Sequence, residues 1–189
     1  MRIGIIGHFG GKEKFNDGQT VKTIAIYDAL KRYGFEDVDK IDTYYIKKNP
    51  FVFMAQFLSG LFRDKKYIVL LSSNGRKVLF PILSFMSRHL NKKVYHYGIG
   101  GRLAREVSEK PKWKEYISSF KSNWMESIEL AEQLQKIGVR NAIYLPNFKK
   151  LNIMKENELC TEYNAPFRFC TFSRVMKEKG IEDAIEAIR

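Results

Sequence analysis

Tyr67-Ile68-Val69-Leu70-Leu71-Ser72-Ser73-Asn74-Gly75 is the stretch that decides the fold. Five apolar residues run without a polar interruption. A strand with one face in water alternates apolar and polar side chains, whereas a strand buried on both faces reads as a continuous apolar run. The Ser-Ser-Asn-Gly that follows turns the chain into a helix reaching about Leu90. A doubly buried strand feeding a helix is the repeating unit of a parallel sheet with helices on both faces.

The same alternation extends in both directions. Residues 3–6 form a first strand, followed by a Gly-rich loop and a helix with Val21, Ile24, Tyr27 and Leu30 on roughly one face, closed near Gly34. Residues 38–45 read as a second strand, and 93–97 as a strand entering the loop Gly98-Ile99-Gly100-Gly101. Leu130, Leu134 and Ile137 make a helical stripe capped by Gly138, and a strand at 141–145 ends at Pro146-Asn147. The expected fold is α/β, a Rossmann-like domain over 1–148. An irregular linker at 149–165 follows, and a second domain starts at 166–189, with a strand at 167–172 and a helix from Glu178 still running at Arg189. The chain is expected to be cut shortly after that second domain begins.

Hydrophobic residues at 44% and charged residues at 29% give an ordinary globular balance, which excludes disorder as the starting expectation. Aromatic residues reach 14%, more than the core requires, so some rings are available for a ligand, partner or membrane. A net charge of +12 favours nucleic acid, anionic lipid or phosphorylated small molecules. Nucleic acid is the weakest of these, because the basic residues are scattered and no RNP-like, zinc-finger or helix-turn-helix signature occurs. Cys160 and Cys170 have no metal-ligand spacing, so no metal site is expected and a reducing cytoplasm is the plain reading. No cleavable signal opens the chain, and no apolar run approaches the roughly 20 residues of a membrane span.

Ligands of open parallel sheets bind beyond the carboxyl ends of the strands. Three small, polar loops fall there: 7–18, 72–75 and 98–101. In the first, Gly10 and Gly11 allow close backbone approach, and the helix beyond it offers free N–H groups to an anion. The alternative is a turn whose Asn16 or Asp17 caps the helix. Ser73 and Asn74 belong to the second loop, Gly100 and Gly101 to the third. His8 and His96 both fall at strand ends, where an imidazole orients or deprotonates a hydroxyl. Either is equally compatible with a structural role.

Residues 47–66 are unusual. Asn49 and Pro50 suit the cap and first position of a helix. Gln56, Ser59, Gly60 and Arg63 then form a narrow polar stripe among Phe, Met and Leu, and Lys47, Lys48, Lys65 and Lys66 flank the ends. An interfacial helix near anionic lipid has this pattern. Docking requires several of Phe51, Phe53, Phe57 and Phe62 to be exposed, whereas a crossover helix of the core buries all four.

The final residues, Phe169-Cys170-Thr171-Phe172-Ser173-Arg174-Val175-Met176-Lys177-Glu178-Lys179-Gly180-Ile181-Glu182-Asp183, resemble the opening of the donor domain in GT-B glycosyltransferases of family 4. The pattern there is a strand, Gly/Ser-Arg-Leu, a short spacer, Lys-Gly-apolar-Asp and an apolar helix. Tyr144-Leu145-Pro146-Asn147 resembles the segment closing the family's first domain. Val94-Tyr95-His96-Tyr97-Gly98-Ile99-Gly100-Gly101 resembles a strand end of its capsule and surface-polysaccharide members. Ser173 and Val175 replace the commoner Gly and Leu. The later E-x7-E element lies beyond Arg189, so the donor site is expected to be incomplete.

The resemblance implies the N-terminal half of a GT-B fold and a retaining-type, metal-independent, cofactor-free transfer. The donor is a nucleotide sugar and the acceptor a hydroxyl, that of a sugar or lipid-linked glycan. Arg174 and Lys179 would bind the donor diphosphate, as two fixed cations offset the charge of a departing nucleotide. Gly10, Gly11, Ser73, Asn74, Gly100 and Gly101 would line the acceptor side, with His96 as the catalytic candidate. Such an enzyme is expected in the cytoplasm, peripheral on the inner face of the membrane. The alternative is a non-catalytic α/β module binding a phosphorylated ligand or partner.

Overall fold

The apolar run at 67–71 lies near the centre of a six-stranded sheet in a computed structural model, which describes residues 2–148, 153, 155–158, 166, 168–171, 175 and 177–188. The chain divides into two units, Met1–Lys149 and Lys150–Arg189. In the first, the elements run β1 (Ile3–Gly7), α1 (Gly18–Arg32), β2 (Val38–Asp42), α2 (Tyr45–Lys48), α3 (Pro50–Arg63), β3 (Lys66–Val69), α4 (Ser73–His89), β4 (Lys93–Gly98), α5 (Leu103–Glu109), α6 (Pro111–Ser118), β5 (Ser122–Met125), α7 (Ile128–Lys136) and β6 (Ala142–Tyr144).

All pairings are parallel and the strand order is β2-β1-β3-β4-β5-β6. The architecture is the expected Rossmann-like α/β sheet with helices on both faces. Strand alternation divides the core in two. Ile6, Val69, Val94 and Met125 point to one face, which α3 to α7 cover with Phe53, Phe57, Leu79, Phe80, Val107, Ile117 and Leu134. Ile3, Ile5, Ile68, Leu70 and Tyr97 point to the other, where α1 supplies Ile26.

Two elements differ from the sequence expectation in instructive ways. In α1 the buried residues are Thr20, Lys22, Thr23 and Ile26, while Val21 and Ile24 face outward. The helix lies so close to β1 that a Cβ on Gly7 would stand 2.8 Å from Thr23, which selects small side chains over large apolar ones. Lys22 is buried because its ammonium donates to Asn147, lies 3.7 Å from Glu126 and sits over the rings of Tyr97 and Phe148. The expected second strand at 38–45 stops at Asp42, whose carboxylate draws the chain into a turn and then α2.

In the second unit, a 3-10 turn at Lys177–Lys179 precedes α8 (Ile181–Glu186). The helix starts at 181 and not 178, because Gly180 takes φ 63° and breaks the backbone path. Residues 168–171 form no strand. A strand needs a partner for its N–H and C=O groups, and the described residues of this unit include none.

Candidate functional site

The strand order reverses between β1 and β3, with β2 on one side and β4 to β6 on the other. Connections leave in opposite directions there, so a crevice opens at the carboxyl edge. A cavity of about 420 Å³ occupies that position. Phe15, Ile46, Leu71 and Val78 supply its apolar wall; His8, Gln19, Tyr44, Ser72 and Asn74 supply polar groups; Lys47 and Lys48 supply positive charge. A mostly apolar hollow with a few convergent polar groups suits a small molecule.

His8 follows the end of β1, and its imidazole is oriented. Its Nδ1 lies 2.6 Å from Thr20 Oγ1, and that hydroxyl donates to Asp17 Oδ2 at 2.6 Å. A hydroxyl has one proton, and Thr20 gives it to Asp17. His8 Nδ1 then carries the proton it shares with Thr20, and in the neutral imidazole Nε2 is the acceptor. Burial pushes the Asp17 carboxyl up, but hydrogen bonds from the Thr20 hydroxyl and from the Thr20 and Gln19 backbones outweigh it and hold it below the usual range. Asp17 is thus an anion that both caps α1 and orients His8. This is the capping alternative, and it closes the first turn of α1 to an external anion. Phe15 and Tyr44 meet the imidazole edge to face at 4.9 and 5.9 Å. Tyr44 donates to Glu13 at 2.5 Å, and that carboxylate raises the phenol to about 12, so the hydroxyl stays protonated.

The loop after β1 is held from below. Phe9 N and Gly11 N donate to the two oxygens of Asp42 at 2.8 Å each, and Tyr44 N adds a third bond at 2.9 Å. Gly10 (φ 90°) and Gly11 (φ 60°) adopt backbone that disfavours any Cβ, and one on Gly11 would stand 2.7 Å from the Tyr44 ring. Neither lines the cavity. Both shape the loop.

The other expected residues scatter. Asn74 lines the cavity, at the start of α4. Ser73 turns away, donating to Glu106 Oε1 at 2.7 Å and accepting from Arg76 at 3.0 Å. Gly100 and Gly101 are exposed beyond β4, apart from the cavity, and Gly100 is explained by its φ of 82°. His96 requires correction as the catalytic candidate. It lies inside β4, fully buried, with Nδ1 3.1 Å from Asn123 Oδ1 and its ring edge-on to Phe80 at 5.1 Å. Burial first, then the nearby Arg76 charge, pulls it down to about 3, so it is neutral and closed to any ligand. Lys179 is exposed in the second unit. Arg174 lies outside the described residues.

Gln19, Thr20, Asp42, Tyr44 and the cavity-lining role of Lys47 and Lys48 were not legible in the sequence. The signal for the last group was the Tyr-Tyr-Ile-Lys-Lys run after β2, hidden by extending that strand to Tyr45. Asp37-Val38-Asp39 has the spelling of an Asp-x-Asp metal motif, but it stands at the amino end of β2, the edge opposite the cavity. Among the described residues no group of three or more His, Cys, Asp and Glu could hold a metal ion. No protein-family model, curated protein or solved structure matches this chain.

Proposed function

We propose that this chain is the acceptor-binding half, with the first part of the donor half, of a nucleotide-sugar glycosyltransferase that extends a lipid-linked glycan in surface or capsular polysaccharide synthesis. The observation that carries the reading is the oriented His8 in a cationic cavity at the strand-order reversal. Lys47 and Lys48 suit the anionic portion of a phosphate-linked acceptor, and Nε2 of His8 suits the hydroxyl that reacts. In the transfer, the bond from the sugar's anomeric carbon to the diphosphate breaks and the acceptor oxygen bonds to that carbon. The hydroxyl proton passes to His8 Nε2 or to the departing diphosphate, which the resemblance assigns to Arg174 and Lys179. The membrane-peripheral, cytoplasmic setting belongs to the same proposal.

A second reading, a non-catalytic module for a phosphorylated ligand, is favoured by one feature. No Asp or Glu lines the cavity, so it has no carboxylate for acid–base chemistry. The test is nucleoside diphosphate release from a panel of nucleotide sugars, in the protein carrying this chain, with lipid-linked glycans as acceptors. His8→Gln keeps a donor to Thr20 but cannot take a proton, and it should lower turnover by about 100-fold with unfolding unchanged. Release from no donor, with phosphorylated ligands still bound, would transfer the assignment to the binding module.

A further inference from the structure

We propose that the outer faces of α3 and α4 form a docking surface for an anionic lipid bilayer. The proposal deepens the membrane-peripheral part of the proposed function and rests on that part of it, but not on the transfer chemistry.

The starting point is the orientation of α3. Two members of its polar stripe turn inward: Gln56 Oε1 accepts from Asp42 N at 2.9 Å, and Gly60 is buried where a Cβ would stand 2.8 Å from Ile41. Phe53 and Phe57 stack at 5.8 Å in the core. That leaves the other apolar residues outside. Phe51 is 86% exposed and Phe62 84%, with Met54 and Leu58 exposed between them. Their spacing of three, four and four residues sets all four on one face of the helix. A helix of a water-facing surface has the reverse arrangement.

The neighbouring crossover helix repeats the pattern. Leu79, Phe80, Leu83 and Met86 of α4 enter the same core cluster as Phe53 and Phe57. Val78, Ile82 and Phe85 are exposed. Because both helices bury their inner stripes on one face of the sheet, both outer stripes look away from that face.

Charge then selects the partner. Residues 43–105 contain twelve Lys and Arg and a single acidic residue, Asp64, which is fully buried. Lys47, Lys48, Arg63, Lys65, Lys77 and Arg88 are exposed around the two stripes. No exposed carboxylate within this segment opposes an anionic surface. From outside it, Glu13 stands 3.9 Å from Lys48 and Asp39 3.3 Å from Arg63, while Lys47, Lys65, Lys77 and Arg88 show no such pair among the described residues. The seven outward apolar side chains carry no hydrogen-bonding group. A bilayer asks for none, because acyl chains accept Phe, Leu and Met while headgroup anions meet the lysines. A folded protein partner would require a shaped, hydrogen-bonded counterpart. No described helix is long and apolar enough to cross a membrane, so the contact is one of lying on the surface. Val78, Lys47 and Lys48 also line the cavity, which brings its rim to the docking face.

The experiment is co-sedimentation of the full chain with vesicles of phosphatidylcholine, alone or mixed with phosphatidylglycerol. Binding is expected only to the mixed vesicles, weakening by about tenfold or more as salt rises from roughly 0.1 to 0.5 M. Phe51→Ser with Phe62→Ser should lower partitioning by at least about tenfold, and Lys47→Gln with Lys48→Gln should weaken it on anionic vesicles. All four positions are exposed, so circular dichroism should be unchanged. Absence of binding to mixed vesicles, or equal binding by the Phe variant, overturns the proposal. Self-association that the Phe variant abolishes, without vesicle binding, also overturns it and assigns the face to a second copy of the chain.

Discussion

Arg76→Ala is expected to destabilise the first unit by about 3–5 kcal/mol, the range for leaving one partner of a buried ion pair alone. Arg76 stands in the first turn of α4 and is almost wholly buried, although a cation at a helix N-terminus opposes the helix dipole. Its place is set by Glu106 of α5, whose Oε2 accepts from Nη2 at 2.6 Å, with Ser73 bridging both side chains. Burial works against the Arg76 charge, and Glu106 restores part of it. Burial raises the Glu106 carboxyl, but the Ser73 hydroxyl and the guanidinium outweigh that and hold it below the usual range. The bridge therefore fastens α4 to α5. Urea unfolding should show a lower midpoint at unchanged slope. Arg76→Met combined with Glu106→Leu should return to within about 2 kcal/mol of the parent, because the orphaned charge is gone. A single variant costing under about 1 kcal/mol would mean the pair is solvated, and the fastening would lie elsewhere.

Asp64→Asn should stabilise the protein at neutral pH. Asp64 caps the end of α3, fully buried, between Gly4 and Gly60, whose Cβ atoms would stand 2.7 and 3.0 Å from its carboxyl. Neither of its oxygens meets a donor while it is ionised. Burial first, then the charge of and a hydrogen bond with Asp39, pushes it up to about 6. The unfolded value is about 3.9. Between the two the native state keeps a proton that the unfolded chain has lost. The contribution is full below about pH 4 and is lost as pH rises through about 6, by up to about 3 kcal/mol. An amide keeps the shape, carries no charge and donates to Asp39. Calorimetric midpoints from pH 4 to pH 8 should show the variant gaining on the parent as pH rises and levelling above about 6. A variant less stable at pH 8, or a difference independent of pH, would refute the shared-proton account.

Much of the fold was legible because the central strands are buried on both faces and so spell themselves out, as at 67–71. The elements that escaped are those where polar residues face inward. β5 reads Ser-Asn-Trp-Met, with Asn123 buried and donating to Ile117 O, so no apolar run announces it. In α1, Thr20, Thr23 and Lys22 occupy the inner face, and the apolar pattern places Tyr27 and Leu30 against the core but misplaces Val21 and Ile24. The two histidines show how finely a site depends on register. His8 lies one residue beyond the end of β1 and lines the cavity. His96 lies two residues before the end of β4, on the core side of the pleat. Sequence puts both near strand ends, but only the ladder decides which one meets a ligand.

Asp42 gathers the amides of Phe9 and Gly11 from one loop and of Tyr44 from another onto one carboxylate. One side chain thus adds three bonds behind the cavity wall, beside the loops' own contacts from Thr43 N to Gly7 O at 2.9 Å and from the Tyr44 hydroxyl to Glu13 at 2.5 Å. In deuterium-exchange terms these three amides form one opening unit, although 33 residues separate Phe9 and its acceptor in sequence. They should exchange together, at one rate, and Asp42→Ala should release all three at once while the ladder amides of β1 and β3 keep their protection.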